Sequence, residues 1–206
     1  MRGFFITFEG LEGAGKSTQI NKLKDYLTRK NLAVVCTREP GGTFIGDEIR
    51  DILLDVDNKD MDFKVEALLY AASRAQLVKN VISPALSNGK IVLSDRYIDS
   101  SLAYQAYGRE LPLDIITEIN RWAVSCLEPD LTFYLKLPAE EGLKRLSTRP
   151  SDRIESEELS FHQRVENGYD ELVQLHKDRY RIIDAMKSEQ EVHKKIVEEI
   201  KKVIGF

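Results

Sequence analysis

The stretch FFITFEGLEGAGKST, residues 4–18, decides the fold class of this chain. A β-prone run leads into a glycine-rich turn, and residues 10–17 match the pattern G-x-x-x-x-G-K-[ST] in full. Glycines let backbone N–H groups converge on phosphate oxygens, and the following helix adds its positive N-terminal end. A chance glycine-rich turn is the weaker interpretation, because the motif lies between a strand and a helix. We expect a phosphate-binding loop made of Gly10, Leu11, Glu12, Gly13, Ala14, Gly15, Lys16, Ser17 and Thr18.

Two side chains of this loop carry the chemistry of nucleotide binding. Lys16 can bridge the terminal phosphates of ATP, and the Ser17 hydroxyl is a suitable ligand for Mg²⁺. We therefore take Lys16 as a candidate catalytic residue and Ser17 as a candidate metal ligand.

β-prone runs alternate with helical apolar spacing along the rest of the chain. Strands are predicted at 33–37, 91–94, 131–135 and 181–184, and helices at 17–30, 45–54, 65–86 and 189–203. This alternation predicts a parallel sheet covered by helices on both faces. We expect one domain over residues 1–206 with the α/β P-loop NTPase fold, a five-stranded parallel sheet and a short lid near 146–157.

Charged residues follow two of the predicted strands, where ligands of such sheets bind. Asp95 can hold Mg²⁺ or accept a proton, and Arg96 beside it can clamp a phosphate. Arg38 ends another strand and Arg50 lies on the next helix, so two guanidinium groups could meet at one anion. The alternatives, a solvated Asp-Arg pair and ordinary surface arginines, stay open for each group taken alone.

Tyr70 and Arg74 are four residues apart in a helical run and therefore share one face. An aromatic ring can stack on a planar base while a guanidinium group donates hydrogen bonds to its edge. Ser100, Ser101, Tyr104 and Gln105 add polar groups soon after the third strand, near the same crevice. Taken alone, the helical pair is a weak signal, because most such pairs are one core and one surface residue.

Four motifs in this order resemble those of bacterial thymidylate kinases. They are EGLEGAGKS (9–17), REPGGT (38–43), LLYAASR (68–74) and DRYxxSSxAYQ (95–105). Further similarity at 129–132 and 152–155 extends the resemblance over nearly the whole chain. The resemblance implies transfer of the ATP γ-phosphoryl group to dTMP with Mg²⁺ as cofactor, by a homodimer.

The resemblance also implies roles for individual residues. Glu12 would contact the sugar 3′-hydroxyl of dTMP, and Tyr104 would crowd the 2′ position. The dTMP phosphate would be held by Arg38, Arg50 and Arg96. The base would contact Tyr70, Arg74, Ser101 and Gln105, and Asp95 would serve Mg²⁺ and positioning.

One position separates two groups within this family. Some members carry a basic residue in the phosphate loop where this chain has Gly13, and the others use arginines of the lid. Arg149 and Arg153 are therefore the candidates for stabilising charge on the transferred group.

Composition narrows the remaining classes of function. The formal net charge of -4 gives no global positive field for a nucleic acid polymer. No signal peptide or membrane-spanning run is recognisable, so we expect a cytoplasmic protein without a membrane partner. Cys36 and Cys126 lack the spacing of a metal or redox motif and are expected to be reduced core thiols. A kinase for another nucleotide or nucleoside, and a non-enzymatic nucleotide-controlled binding module, remain the alternatives.

Overall fold

The computed structural model describes residues 2–146 and 150–204. The strands are β1 (Phe4–Glu9), β2 (Val34–Arg38), β3 (Ile91–Asp95), β4 (Leu131–Lys136) and β5 (Tyr180–Asp184). The helices are α1 (Lys16–Thr28), α2 (Phe44–Leu54), α3 (Phe63–Leu77), α4 (Ser83–Ser87), α5 (Ile98–Ser101), α6 (Leu113–Ala123), α7 (Ala139–Leu146), α8 (Leu159–Leu175) and α9 (Glu189–Ile204). Two π-helical segments, Val78–Ile82 and Leu102–Gly108, continue from α3 and α5.

The strands form one parallel sheet in the order β2-β3-β1-β4-β5. The central strand β1 has Phe8 in register with Asp95 of β3 and with Phe133 of β4. All carboxyl ends therefore meet at one edge, and the predicted five-stranded parallel sheet is confirmed.

Both faces of the sheet are buried, as the alternation of strands and helices predicts. On β1, Ile6 packs into a core with Leu23 of α1 and Ile196 of α9. The neighbouring Phe5 packs into a second core with Leu77 of α3. Successive side chains of a strand point to opposite faces, so one short run of residues builds both layers.

The helix predicted for residues 65–86 is not a single helix. It runs as α3 to Leu77, widens into the π-helical segment, where the N–H of Ser83 donates to the carbonyl of Val78, and resumes as α4. Pro84 stands at the start of α4. A proline ring has no N–H and clashes with the carbonyl four residues earlier, which accounts for the wider turn.

The expectation of two core thiols is wrong. Cys36 lies on the edge strand β2 and Cys126 in the turn after α6, and both are exposed free cysteines. Among the described helices, none combines the length and apolar character needed to cross a bilayer.

Candidate active site

A cavity of about 530 Å³ opens at the carboxyl edge of the sheet. It brings together most of the residues that the sequence nominates. They are Glu12, Gly13, Gly15, Lys16, Ser17, Thr18, Arg38, Arg50, Tyr70, Asp95, Arg96, Ser101, Tyr104 and Gln105.

The phosphate loop between β1 and α1 depends on glycine at three positions. Gly10, Gly13 and Gly15 have φ of 132°, 76° and 88°, where a side chain is strained. A Cβ on Gly13 would also lie 2.8 Å from the carbonyl oxygen of Gly142 in α7. Since α7 packs against the loop here, the loop has no room for a basic side chain at position 13.

The Lys16 ammonium group lies inside the loop. It donates to the carbonyl oxygens of Gly10 at 3.0 Å and Leu11 at 2.8 Å. Burial, with a contribution from the cation of Arg96, lowers the pKa of Lys16 to about 8. Phosphate oxygens near this ammonium group would favour its charged form, so the site suits an anionic ligand.

Ser17 and Asp95 present oxygen atoms of the kind that Mg²⁺ prefers. The Ser17 hydroxyl donates a 2.5 Å hydrogen bond to Oδ2 of Asp95, and both residues line the cavity. Within residues 2–146 and 150–204, no cluster of three or more His, Cys, Asp or Glu residues forms a metal site. These two residues therefore fit an Mg²⁺ ion that takes its other ligands from phosphates and water.

Arg38 and Arg50 converge beside Gly41. A Cβ built on Gly41 would lie 3.6 Å from Cδ of Arg50 and 3.7 Å from Nε of Arg38. Burial, together with the nearby cation of Arg38, lowers the pKa of Arg50. Two guanidinium groups held this close are suited to one anion, which relieves their repulsion.

Arg96 holds a sparsely populated backbone conformation, with φ of 73°. Its guanidinium group donates to Glu12 at 2.7 Å and to the carbonyl of Gly10 at 2.9 Å. The Tyr104 hydroxyl donates to the other Glu12 oxygen at 2.5 Å. Although burial opposes the charge, Arg96 and Lys16 hold the pKa of Glu12 below its ordinary value. Glu12 is thus a fixed anionic acceptor at the cavity wall.

One side of the cavity is formed by Tyr70, Ser101 and Gln105. Arg74 lies behind this wall and is almost fully buried. It donates from Nε to Glu39 at 2.6 Å and from Nη1 to Ser101 at 2.8 Å. The sequence nominated Arg74 as a direct reader of the base, whereas the structure places it against Ser101 rather than on the cavity surface.

Comparison with known proteins identifies the family. A family model described as thymidylate kinase matches residues 8–196. The chain belongs to the thymidylate kinase family. It is 49% identical to the thymidylate kinase of Halothermothrix orenii, over 98% of each chain, and 47% identical to that of Lactobacillus helveticus, over 98% and 97%. The crystal structure of thymidylate kinase from Ehrlichia chaffeensis matches with a TM-score of 0.79 and 30% identity, covering 97% of this chain and 99% of that one.

The lid predicted near residues 146–157 lies in the chain between the end of α7 and the start of α8. Arg153 is buried and donates to Oε2 of Glu66 at 2.8 Å and to the carbonyl of Leu53 at 2.8 Å. The structure therefore does not bring Arg153 to the phosphate loop. Arg149 lies outside the described residues.

Several cavity residues of this thymidylate kinase family member were not nominated from sequence. Arg145 of α7 donates to the carbonyl of Gly13 at 3.0 Å and lines the cavity. Glu39, Asp152 and Glu155 line it as well. These three lie inside the stretches quoted at 38–43 and 152–155, so the signal was available, but no role was assigned to them. Ser100, which the sequence places near the same crevice as Ser101, also lines the cavity.

Glu9, the residue before the phosphate loop, is a buried carboxyl group behind the cavity. It accepts hydrogen bonds from the Ser100 hydroxyl at 2.6 Å, the Tyr97 N–H at 2.8 Å and the Tyr169 hydroxyl at 3.0 Å. Burial, reinforced by the charge of Asp99, raises the pKa of Glu9 to about 8. Ser100 and Tyr169 also contact the Arg96 guanidinium, so Glu9 supports the cavity wall from behind.

Proposed function

We propose that this chain transfers the γ-phosphoryl group of ATP to dTMP, giving dTDP and ADP. The observation that carries the proposal is the placement of two anion sites in one cavity. Lys16 and the phosphate loop form the first, and Arg38, Arg50 and Arg96 form the second. An acceptor without a phosphate would not need three guanidinium groups, which favours a nucleoside monophosphate over a nucleoside.

The reaction is an in-line displacement. An oxygen of the acceptor phosphate forms a bond to the γ-phosphorus, the bond from that phosphorus to the bridging oxygen breaks, and ADP leaves with the electron pair. The acceptor is already an anion, so the step requires positioning and charge neutralisation more than a strong base. Lys16 neutralises the donor phosphates, and Arg96 holds the acceptor.

Ser17 and Asp95 would hold Mg²⁺, which when bound neutralises phosphate charge. Asp95 is then a magnesium and positioning residue rather than a base. The hydrogen bond between Ser17 and Asp95 keeps the hydroxyl and carboxylate oxygen atoms together beside the phosphate loop.

The nucleoside of dTMP lies against the remaining cavity wall in this proposal. Glu12 accepts from the sugar 3′-hydroxyl, and Tyr104 fills the space at the 2′ position. The centroid of the Tyr104 ring lies 5.0 Å from the Arg96 guanidinium carbon. Tyr70 stacks on the base, and Gln105 and Ser101 meet its edge. Arg74 acts on the same edge through Ser101, to which it donates.

We also propose that the chain forms a homodimer through α2, α3 and α6. These helices carry exposed apolar side chains spaced three or seven residues apart, which places them on shared faces. They are Ile45 and Ile52 of α2, Val65 and Leu68 of α3, and Ile115 and Trp122 of α6. We call this set the apolar face. Since α3 packs against both α2 and α6, these exposed side chains lie on neighbouring helices, and in this proposal a second copy covers them by two-fold symmetry.

The free thiols Cys36 and Cys126 are consistent with the reducing cytoplasm, where we place the reaction.

The test is product stoichiometry. The purified protein is incubated with ATP, Mg²⁺ and dTMP, and ADP and dTDP are quantified together. The proposal expects equal amounts of the two products, and loss of both in Lys16→Ala but not in Lys24→Ala, which changes an exposed lysine of the same helix. ADP without dTDP would favour the alternative of a nucleotide-controlled binding module.

A further inference from the structure

Glu66 of α3 is a fully buried carboxylate. It links Gln105, in the part of the cavity assigned to the nucleobase, to Arg153 of the predicted lid. Its Oε1 accepts from Nε2 of Gln105 at 3.0 Å, and its Oε2 accepts from Arg109 at 3.0 Å and from Arg153 at 2.8 Å. It lies one helical turn before Tyr70. None of the motifs above drew attention to it.

This contact fixes the orientation of the Gln105 amide. A carboxylate bonded by two guanidinium groups offers only acceptor sites, so Gln105 must turn its NH₂ group toward Glu66. The carbonyl oxygen then lies on the other branch of the amide, and Gln105 lines the cavity. Among the described residues, none donates a hydrogen bond to this oxygen. The cavity therefore receives an acceptor from Gln105 and not a donor.

We propose that Glu66 is a specificity-determining positioning residue that selects thymine over cytosine by holding the Gln105 amide in one orientation. This inference rests on the proposed function. Thymine carries a hydrogen on N3, which can donate to the Gln105 carbonyl oxygen. Cytosine has a lone pair at N3, which would face that oxygen without a hydrogen between them. A site that buries an unpaired acceptor in this way rejects the wrong base strongly.

The test is the Glu66→Gln variant, with kcat/KM measured for dTMP and dCMP. The new amide offers both a donor and an acceptor, so Gln105 can take either orientation. We expect the dTMP to dCMP ratio to fall by about ten- to a hundredfold, with dCMP turnover rising. An unchanged ratio, including an equal loss for both acceptors, would overturn the inference.

A double-mutant cycle separates specificity from damage to the fold. Gln105→Leu keeps the volume but has no amide, so adding Glu66→Gln to it should leave the ratio unchanged. The same fall in that background would show that Glu66 does not act through Gln105, and would overturn the inference.

A charge-balanced variant covers the case in which Glu66→Gln alone does not fold. Glu66→Gln with Arg153→Gln removes one buried charge of each sign, and the expected fall in the ratio is the same. Any loss of rate from Arg153 affects both acceptors and cancels in the ratio. Wild-type enzyme that makes no dTDP would contradict the proposed function, whereas wild-type activity with an unaltered ratio in the variants contradicts this inference alone.

Discussion

The hydroxyl of Ser17 lies 2.5 Å from Oδ2 of Asp95, although 78 positions separate the two residues. The parallel register accounts for this contact, since Phe8 of β1 pairs with Asp95 of β3 and the phosphate loop follows β1 directly. The first turn of α1 and the end of β3 therefore present a hydroxyl and a carboxylate to the same point.

Asp95→Asn should raise the Mg²⁺ concentration needed for half-maximal activity and lower kcat. An amide oxygen carries no net charge, so it attracts a divalent cation less strongly than a carboxylate does. The measurement is initial rate against Mg²⁺ concentration, with chelator added for the zero point. Asp57→Asn, at an exposed position, is the control. Equal Mg²⁺ dependence of wild type and Asp95→Asn would contradict the assignment.

Arg149→Ala and Arg153→Ala should show which lid arginine stabilises the transferred group. Removing a residue that acts mainly on the transition state lowers kcat while the acceptor affinity changes little. The fall in kcat should be about three powers of ten if the residue resembles other arginine fingers. For Arg153 this requires exchange of its bonds to Glu66 and Leu53 for bonds to phosphate. Single-turnover rates and binding measured separately decide the matter, with Arg29→Ala as the exposed control. Wild-type kcat in both variants would exclude the lid arginines.

Leu68→Glu should convert the proposed homodimer to a monomer. The change places two like charges in the centre of a buried apolar face, where they are not compensated. Sedimentation equilibrium gives the mass directly. Leu175→Glu, which alters another exposed leucine, on α8 outside the apolar face, should remain dimeric. A wild-type monomer, or a dimer of Leu68→Glu, contradicts the assigned interface.

Glu9→Gln should make folding less sensitive to pH. The folded protein keeps the Glu9 proton up to about pH 8, whereas the unfolded chain releases it near pH 4.5. The free energy of unfolding therefore falls as pH rises through this window, by up to roughly 1.4 kcal/mol per pH unit from this one group. Glutamine has no such proton, so the free energy of unfolding of the variant rises relative to that of wild type as pH rises.

Urea unfolding of wild type and Glu9→Gln at pH 5, 6, 7 and 8 measures this difference. Glu118→Gln, an exposed carboxyl group on α6, serves as the control and should run parallel to wild type. A constant difference between wild type and Glu9→Gln across the range would mean that Glu9 is ionised in the folded protein.

The strands were predictable to within one residue at most ends, because each is a short β-branched and aromatic run that stops at a turn or a polar residue. The helix predicted at 45–54 begins one residue earlier, at Phe44, where Thr43 accepts from the Gly46 N–H as an N-cap. The π-helical segments were not predictable from periodicity. They depend on how Pro84 and the packing around residues 102–108 reshape a helix that is otherwise regular.

The cavity residues were predictable where they belong to motifs, since the carboxyl ends of parallel strands meet at one edge of the sheet. The partners of the buried charged residues were not predictable from the sequence. Arg74 and Arg153 look from sequence like groups free to bind a ligand, yet each is buried and donates to a buried glutamate, Arg74 to Glu39 and Arg153 to Glu66. Which carboxylate lies within reach is decided by packing between segments far apart in the chain, as for Glu66 and Arg109.

The most direct measurement of the central claim is kcat/KM for dTMP, dCMP, dAMP and dGMP under one set of conditions with ATP and Mg²⁺. The proposed site predicts that dTMP exceeds each of the other three, because Tyr70 and the oriented Gln105 amide fit thymine. Equal use of all four acceptors, or preference for another of them, would contradict the account.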